Sequence, residues 1–459
     1  EQLQDCAGQL EDRLPEDSTL AVATLFLNYS QADLNNTQLI AASVAAFNRR
    51  STPNDDDVAA AKRVPQIELN GTIKVLNAAV VECQRVKNGG YRIKSRPYPT
   101  NISFNEQTSF FQDSDGMPYF PTGFSQQPDV GPHTAKISQP LAMNFAVGYF
   151  TPASILGPTC CKPSNNWSVA ALVANLDATH AIGATTSMLI GNGKQGSSSA
   201  FPPWADTLYP NLTTNAGTTH FYSYDIDNPG AKALMQMALE VVVPVVARHP
   251  AVLGWSLANE PGFASANSSY TLTKFQLFLR QRYNNSDDAF ATAWGRRFPN
   301  SFADATLVQY MGLLRSSDRG WLDWMTFNNQ RVSAWYAWLC GTIHSLYPAD
   351  VFSRPCLIKA SNSASGLHPE TDHSGDSGID RLANAKSLKL RGCDTRITPT
   401  SDPHFHTTLS SFPSNVYAID FLTTTAGYDL MRSLGNFTQP VMETEWHSIS
   451  TVGFRKEII

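Results

Sequence analysis

From about residue 104 onward, short uninterrupted apolar runs alternate with longer stretches whose apolar residues have helical spacing. Apolar runs without polar alternation are typical of strands buried on both faces, and apolar residues three and four apart are typical of helices. The pattern predicts strands over Ala184–Ile190, Val252–Leu257, Val351–Ala360, Leu388–Ile397 and Pro440–Thr444. It predicts helices over Ser168–His180, Ala231–Arg248, Tyr270–Tyr283, Asp288–Arg297, Trp321–Leu346 and Val416–Leu434.

Repeating strand–helix units with buried strands indicate an α/β fold, in which helical crossovers connect a parallel sheet. The repeats extend over about 350 residues, which is more than a flavodoxin-like sheet needs and suits a (β/α)8 TIM barrel with long loops. Neither a glycine-rich dinucleotide fingerprint nor a phosphate-binding loop motif occurs in the sequence. We therefore predict a (β/α)8 barrel over residues 104–459.

Residues 1–103 have a different pattern and are predicted to form a small N-terminal accessory region. A helix is predicted over Asn36–Arg49, followed by an acidic, proline-marked break at Ser51–Asp57. Strand-like pieces are predicted at Gln66–Leu76 and Tyr91–Arg96. No residue type or spacing in this region indicates a chemistry, so its role is left open.

Composition and charge exclude several classes of protein. The 459 residues carry a formal net charge of −5, which argues against a nucleic-acid partner because such proteins present a basic face. With 9 Trp, 15 Tyr and 24 Phe the chain has ample material for a packed core, so disorder is not expected. The longest apolar run, near Ala238–Ala247, contains Pro244 and is far shorter than the roughly 20 residues of a membrane span.

Asn-x-Ser/Thr sequons favour a glycoprotein secreted from, or displayed on, a eukaryotic cell, with N-linked glycans as partners. The alternative is a chain that is simply rich in Asn, Ser and Thr. Seven cysteines without a Cys-x-x-Cys pair are compatible with disulfides in that compartment, with one cysteine left over. The nine sequon asparagines are Asn28, Asn35, Asn70, Asn101, Asn166, Asn211, Asn267, Asn284 and Asn436.

Two predicted strands end in glutamates. The strand from Val252 runs into Asn259-Glu260-Pro261, where the proline stops the strand. The strand from Pro440 runs into Glu443-Thr444-Glu445-Trp446-His447, in which a period of two places Glu443 and Glu445 on one face, with Glu443 one step deeper. Residues at the carboxyl ends of barrel strands form the active-site face, so Glu260 and Glu445 are candidate catalytic residues.

Two carboxylates on one face of a barrel are what glycoside hydrolysis needs, one as general acid and then base, the other as nucleophile. Trp255 and Trp446 would offer flat apolar faces to a sugar. The low net charge fits a neutral carbohydrate substrate. The alternative is that Glu443 and Glu445 are only solubilising charges at the edge of the sheet. This alternative does not explain the flanking Trp446 and His447.

Leu-Ala-Asn-Glu-Pro at 257–261, taken with Pro-Val-Met-Glu-Thr-Glu-Trp at 440–446, resembles clan A of the glycoside hydrolases. Further stretches at 275–283, 291–295, 322–327 and 428–434 are most similar to family 42 β-galactosidases, and Thr444–His447 resembles the family 50 β-agarases. The resemblance implies a (β/α)8 barrel with no cofactor. It implies Glu260 as acid/base after strand four, Glu445 as nucleophile on strand seven, and Asn259 as partner of the sugar 2-hydroxyl.

Histidines near the predicted pocket rim are candidate sugar contacts. His404 and His406 follow the sixth predicted strand, and His447 follows Glu445. A metal site would need further ligands, so we predict no metal. Metal-dependent hydrolysis by these histidines and nearby aspartates is a minor alternative.

The chain departs from the family at its end, since it stops at Ile459, fourteen residues after Glu445. We expect a barrel lacking its last β/α unit, closed by a missing C-terminal segment or by another chain. The main alternative function is a non-catalytic carbohydrate-binding or structural glycoprotein on the same barrel. Transglycosylation by the same two residues is a further one.

Overall fold

The computed structural model of the protein describes residues 52–89, 102–124, 144–159, 167–191, 200–213, 224–259, 268–295, 301–305, 319–349, 354–363, 378–396 and 441–447. Positions 106, 109 and 389 within these ranges are excluded. Single positions are also described, namely ten before residue 46 together with 261 and 351.

The accessory region contains a long helix, α1, over Asp55–Lys87. The strand predicted over Gln66–Leu76 is therefore wrong. The side chain of Asn54 accepts a hydrogen bond from the Asp57 amide while the Asp57 carboxylate accepts one from the Asn54 amide, each at 3.0 Å. This capping box, three aspartates in the first turn and Arg85 and Lys87 in the last all favour helix over strand.

The rest of the accessory region is described only in part. The positions described between residues 37 and 45 are helical, in agreement with the helix predicted over Asn36–Arg49. The strand predicted over Tyr91–Arg96 and the helix predicted over Val416–Leu434 lie outside the described residues.

Seven parallel strands form the main sheet, and they lie side by side in chain order, from β4 to β10. Each strand pairs with the next through a parallel register. An order without reversal is that of a barrel wall, whereas a doubly wound sheet reverses its order at a switch point. The strands are β4 (Gly123–Phe124), β5 (Phe145–Phe150), β6 (Thr185–Ile190), β7 (Val252–Asn259), β8 (Cys356–Ser363), β9 (Arg391–Arg396) and β10 (Val441–His447).

Five of these strands confirm the sequence predictions, namely β6 to β10, with shifts of a few residues at their ends. β6 and β7 are buried along their whole length, which is the reason their apolar runs do not alternate. The helices between the strands are α2 (Pro152–Leu156), α3 (Trp167–Ala181), α4 (Ala205–Leu208), α5 (Pro229–Val246), α6 (Ser269–Arg282), α7 (Asp287–Ala293), a 3-10 turn (Phe302–Asp304), α8 (Arg319–Ser345) and α9 (Arg381–Ser387).

A small antiparallel sheet closes one end of the parallel sheet. It consists of β1 (Ser103–Asn105), β2 (Phe110–Gln112) and β3 (Pro118–Tyr119). Phe111 and Tyr119 pack against Leu253 and Leu357, which are the second residues of β7 and β8. The small sheet therefore covers the amino-terminal end of the parallel strands and leaves the carboxyl-terminal end for a functional site.

The helix α5 has the length and apolar composition that would also suit a membrane span. Nine of its residues are buried, and most of them belong to the core shared by the sheet and its helices. A helix that packs one face against a buried sheet has this composition, so α5 is explained by its place in the core.

A second apolar cluster lies among the helices between β7 and β8. Its buried members are Phe275, Leu279, Phe290, Trp294, Phe302, Ala305, Trp324 and Phe327, contributed by α6, α7, the 3-10 turn and α8. We call this cluster the outer helical core. Trp324, Trp335 and Tyr336 of α8 are buried, so the aromatic residues at helical spacing in this helix serve packing.

Candidate active site

Asn259 is the last residue of β7 and is only 6% exposed. Its Oδ1 atom is buried and has no hydrogen-bond partner among the described residues. Buried amide oxygens are nearly always hydrogen-bonded in native proteins. An acceptor left unpaired at the carboxyl end of a parallel strand is therefore a candidate ligand-binding atom.

A register shift near the end of β7 determines the side of the sheet on which Asn259 lies. Ser256 pairs with Leu357, and Asn259 pairs with Lys359, so three residues of β7 span two residues of β8. Paired residues share a side of the sheet and successive residues alternate. The extra residue thus moves Asn259 to the side of Ser256, away from that of Trp255.

The same side can be followed through the register to β10. Lys359 pairs with Gly392, and Asp394, two residues further along β9, pairs with Glu445. The backbone register therefore places Glu445 on the side of the sheet that carries Asn259. His447, paired with Arg396, has the same parity.

Glu443 and Trp446 have the opposite parity. Glu443 pairs with Cys393 and Glu445 with the next residue, Asp394, because the register shifts between the two glutamates. The expectation that Glu443 and Glu445 share one face is therefore wrong, since period-two alternation fails across a bulge. Trp446 pairs with Thr395, so the backbone register places it on the same side of the sheet as Glu443 and on the opposite side from Glu445.

Three predicted site residues lie outside the described residues: Glu260, His404 and His406. Glu260 follows Asn259 directly in the chain, and Asn259 ends the fourth parallel strand counted from β4. Glu445 lies in the seventh. Asn259 and Glu445 therefore lie in the fourth and the seventh of the described parallel strands, and the catalytic roles of Glu260 and Glu445 stay predictions.

Trp255 does not offer a face to a ligand. Its side chain is fully buried in the main core, and its indole Nε1 donates a hydrogen bond to the Tyr347 hydroxyl at 2.6 Å. The suggestion that Trp255 stacks on a sugar is therefore wrong. Residue 255 lies on the side of the sheet that faces the surrounding helices. The alternation of residues along a strand does not show which of the two sides faces the helices.

A buried charged cluster that joins the connection after β6 to α6 and α8 was not found from the sequence. Asp227 accepts hydrogen bonds from Arg331 at 2.8 Å, Lys274 at 2.9 Å and Thr271 at 2.7 Å. Burial alone would raise the pKa of the Asp227 carboxyl, but Arg331 and Lys274 hold that pKa below its ordinary value. Asp227, Lys274 and Arg331 are distant in sequence, so no local motif predicts the cluster.

Cys340, His344 and Cys356 place their donor atoms within 4.8 Å of one another. The two sulfurs are joined in a disulfide, and His344 Nε2 lies 2.9 Å from the Arg354 carbonyl oxygen. In this state the group is a disulfide with a histidine packed against it. Cys83 is also disulfide-bonded.

Four of the nine sequon asparagines are among the residues whose burial is described, and all four are exposed. They are Asn35, Asn70, Asn211 and Asn284. Asn211 and Asn284 lie in turns with positive φ. Asn28, Asn101, Asn166, Asn267 and Asn436 lie outside the described residues.

Residues 160–361 match the model of glycoside hydrolase family 42, described as β-galactosidase. The matched span contains β6, β7 and most of β8, and it includes Asn259 and Glu260 but not Glu445. The resemblance to family 42 is therefore confirmed for this part of the chain. No curated protein matches the chain.

Solved β-galactosidases are similar to the chain at low identity. The enzyme from the psychrophilic Marinomonas ef1 is 16% identical, with a TM-score of 0.44 over 66% of this chain and 44% of that one. The enzyme from Rahnella sp. R3 is 18% identical, with a TM-score of 0.45 over 74% and 45%. The enzyme from Halorubrum lacusprofundi is 15% identical, with a TM-score of 0.48 over 69% and 45%. The chain thus spans less than half the length of each.

Proposed function

We propose that the protein is a retaining glycoside hydrolase acting on β-linked galactosides or a galactan-type polysaccharide. Glu260 acts as acid/base and Glu445 as nucleophile. The observation that carries the proposal is strand placement: Glu260 directly follows the fourth parallel strand, and Glu445 lies in the seventh. The match of residues 160–361 to the β-galactosidase family supports the same activity.

In the proposed reaction Glu445 attacks the anomeric carbon while Glu260 protonates the leaving oxygen. Glu260 then removes a proton from the water that hydrolyses the glycosyl-enzyme. The Oδ1 of Asn259, which has no hydrogen-bond partner among the described residues, would accept a hydrogen bond from the sugar 2-hydroxyl. Such a bond strengthens as charge develops on the sugar ring, so Asn259 would contribute to the transition state. The proposal assigns no cofactor.

We further propose that the sheet closes into a (β/α)8 barrel. Its seven described parallel strands in unbroken order support this, as does the small sheet that covers their amino-terminal end. Closure would require an eighth strand between β10 and β4, in addition to the strands among the described residues. The carboxyl ends of β7 and β10 would then face one central pocket.

Secretion and N-glycosylation are also proposed. Their support is the exposure of Asn35, Asn70, Asn211 and Asn284. Expression in a eukaryotic secretory system should give a product whose mass falls on treatment with an N-glycanase. Replacing these four asparagines by glutamine should reduce that fall, and a product insensitive to the glycanase would refute the proposal.

Turnover of a panel of aryl β-glycosides tests the function, with galactoside, glucoside, fucoside, xyloside and glucuronide compared. The galactoside should be hydrolysed by the parent. Glu260→Ala should lose this activity and recover part of it with azide, because azide needs no general base to attack the glycosyl-enzyme.

If the protein hydrolyses none of the aryl glycosides, polysaccharides are the second substrate class to test. Agar and galactan would then be tested with a reducing-sugar assay, which detects internal cleavage of a polysaccharide. Activity there would keep the chemistry and change the substrate to a polymer. Inactivity on both, together with saturable galactan binding, would favour the non-catalytic carbohydrate-binding protein.

A further inference from the structure

Three side chains of metal-ligand type meet where α8 packs against β8. Cys340 and His344 lie four residues apart near the end of α8, and Cys356 is the first residue of β8. Residues four apart share one face of a helix, and the pairing of Cys356 with Trp255 places Cys356 on the side of the sheet that faces the helices. Two elements of the core thus bring two sulfurs and an imidazole nitrogen within 4.8 Å of one another.

The distances from the histidine to the two sulfurs are close to those of a tetrahedral zinc site. His344 Nε2 lies 3.7 Å from Cys340 Sγ and 3.7 Å from Cys356 Sγ. Zinc bonds of about 2.3 Å to sulfur and about 2.0–2.1 Å to nitrogen, at a tetrahedral angle, put the nitrogen and each sulfur about 3.5 Å apart. Two of the three edges of the ligand triangle therefore nearly have the length that zinc requires.

The third edge is closed by the disulfide between Cys340 and Cys356. A thiol reductant would open it by supplying two electrons and two protons, and the reductant would itself become a disulfide. The two Cα atoms are 6.1 Å apart, so rotation of the two side chains can separate the sulfurs to the roughly 3.8 Å of a zinc site while both backbones stay in place. The reduced group then has the spacing of a zinc site on all three edges.

The charges of a zinc complex suit the burial of this group. Cys340 is 3% exposed and Cys356 is fully buried, so a site with net charge would be costly here. Zn²⁺ displaces the two thiol protons, and the complex with two thiolates and a neutral imidazole has no net charge. The imidazole proton of His344 moves to Nδ1 when Nε2 binds the metal. The Arg354 carbonyl, 2.9 Å from Nε2 in the disulfide form, can then accept a hydrogen bond from a water in the fourth zinc position.

We propose that Cys340 and Cys356 in the dithiol form, together with His344, bind one zinc ion. Sulfur and imidazole donors select zinc over calcium or magnesium. Cys356 begins β8, whereas Asn259 ends β7, so the zinc lies toward the opposite end of the sheet from the proposed catalytic residues. Its role is therefore structural: it ties α8 to β8 in place of the disulfide. The proposal does not rest on the proposed function.

Zinc content of the full chain in two redox states tests the proposal. Protein made in a reducing bacterial cytosol and kept in a phosphine reductant should bind about one more zinc ion per chain than protein whose disulfides have been formed by oxidation. Added zinc should raise the urea midpoint of the reduced chain and leave that of the oxidised chain unchanged. Equal zinc content in the two states would overturn the proposal.

Cobalt in the reduced chain reports the ligands directly. Co²⁺ should give a sulfur-to-metal charge-transfer band and the intense visible bands of tetrahedral coordination. His344→Gln should keep the sulfur band and weaken zinc binding at least about tenfold, since even loss of a group that only orients a metal ligand costs 10- to 100-fold. Cys340→Ser/Cys356→Ser should remove the difference in zinc content between the two redox states. Unchanged zinc affinity in His344→Gln would overturn the proposal.

Two control variants exclude zinc bound elsewhere on the chain. Cys83→Ser removes another buried, disulfide-bonded cysteine, and His249→Gln removes another histidine that makes a side-chain hydrogen bond. Both should keep the zinc affinity of the reduced parent. Equal weakening in His249→Gln and His344→Gln would overturn the proposal. If the double serine variant does not fold, His344→Gln decides, because it keeps both sulfurs.

Discussion

Asn259 of β7 pairs across the sheet with Lys359 of β8, although the regular register of the two strands would pair Lys359 with Ala258. The shift of one residue is what brings Asn259 to the side that also carries Ser256. Bulges of this kind are common beside active sites, where they direct a side chain that alternation would turn away. The register shift at the end of β7 thus determines the side of the sheet on which Asn259 lies, and the side-chain oxygen of Asn259 has no hydrogen-bond partner within the described residues.

Asn259→Ala should therefore separate activity from stability. Loss of a hydrogen bond to the 2-hydroxyl should cost about 3 kcal/mol of transition-state stabilisation, or roughly a hundredfold in kcat/KM. Stability should change by no more than about 1 kcal/mol, because the oxygen that is removed makes no hydrogen bond to any of the described residues. Aryl galactoside kinetics and urea unfolding measure the two effects.

Asn384→Ala is the matched control for that prediction. Asn384 lies in α9, is also buried, and also has an unpartnered Oδ1 among the described residues. Its replacement should leave kcat/KM at the parent value. A similar loss of activity in both variants would mean that the effect of Asn259→Ala comes from general loosening and not from a sugar contact.

The two glutamates of β10 should differ sharply when each is replaced by glutamine. Glu445 has the register parity of Asn259, and Glu443 has the opposite parity. Glu445→Gln should abolish turnover, whereas Glu443→Gln should keep it and lower the free energy of unfolding by about 1–3 kcal/mol. A folded but inactive Glu443→Gln, beside an active Glu445→Gln, would reverse the assignment of the nucleophile.

The sequence predicted those features that depend on local pattern. Strands β6 and β7 are apolar throughout because both faces are buried, and Asn259-Glu260-Pro261 marks the end of β7 because proline stops a strand. The prediction was wrong in α1, because the strand predicted over Gln66–Leu76 belongs to a helix that begins at the capping box of Asn54.

Features that depend on register or on distant contacts could not be predicted. The parities of Glu443 and Trp446 follow from a one-residue shift that the pairing of β9 and β10 reveals and the composition of β10 does not. Asp227 and Arg331 are about a hundred residues apart, so only the folded chain brings the ion pair together. Sequence periodicity identifies the strands, whereas the pairing of those strands decides which residues share a site.

The disulfide between Cys340 and Cys356 should be a major contributor to stability. It closes a loop of 16 residues between α8 and the first residue of β8. Constraining the unfolded chain over a loop of this length is worth about 3 kcal/mol. The double variant Cys340→Ala/Cys356→Ala should lose about that amount in urea unfolding. Reductant should then destabilise the double variant less than the parent; an equal effect of reductant on both would contradict the prediction.

Tyr119 should make the fold sensitive to alkaline pH. Its hydroxyl donates to the Asn144 carbonyl at 2.7 Å and lies 3.0 Å from Thr185 Oγ1, beneath the amino-terminal end of the parallel strands. Burial raises the pKa of Tyr119 to about 12, from an ordinary value of 10.0. Between these two values the unfolded chain ionises at this residue and the folded protein does not, so stability falls as pH rises.

The fall attributable to Tyr119 should reach about 2–3 kcal/mol over that interval, because two pKa units correspond to about 2.7 kcal/mol. Tyr119→Phe should be less stable than the parent at pH 8, since the hydrogen bond from the Tyr119 hydroxyl to the Asn144 carbonyl is lost, but its stability should fall less steeply above pH 9.5. Burial also raises the pKa values of Tyr283 and Tyr347, so the comparison must be the difference between variant and parent. Urea unfolding at pH 8.0, 10.0 and 11.5 gives that difference, and parallel pH dependences would show that Tyr119 titrates normally in the fold.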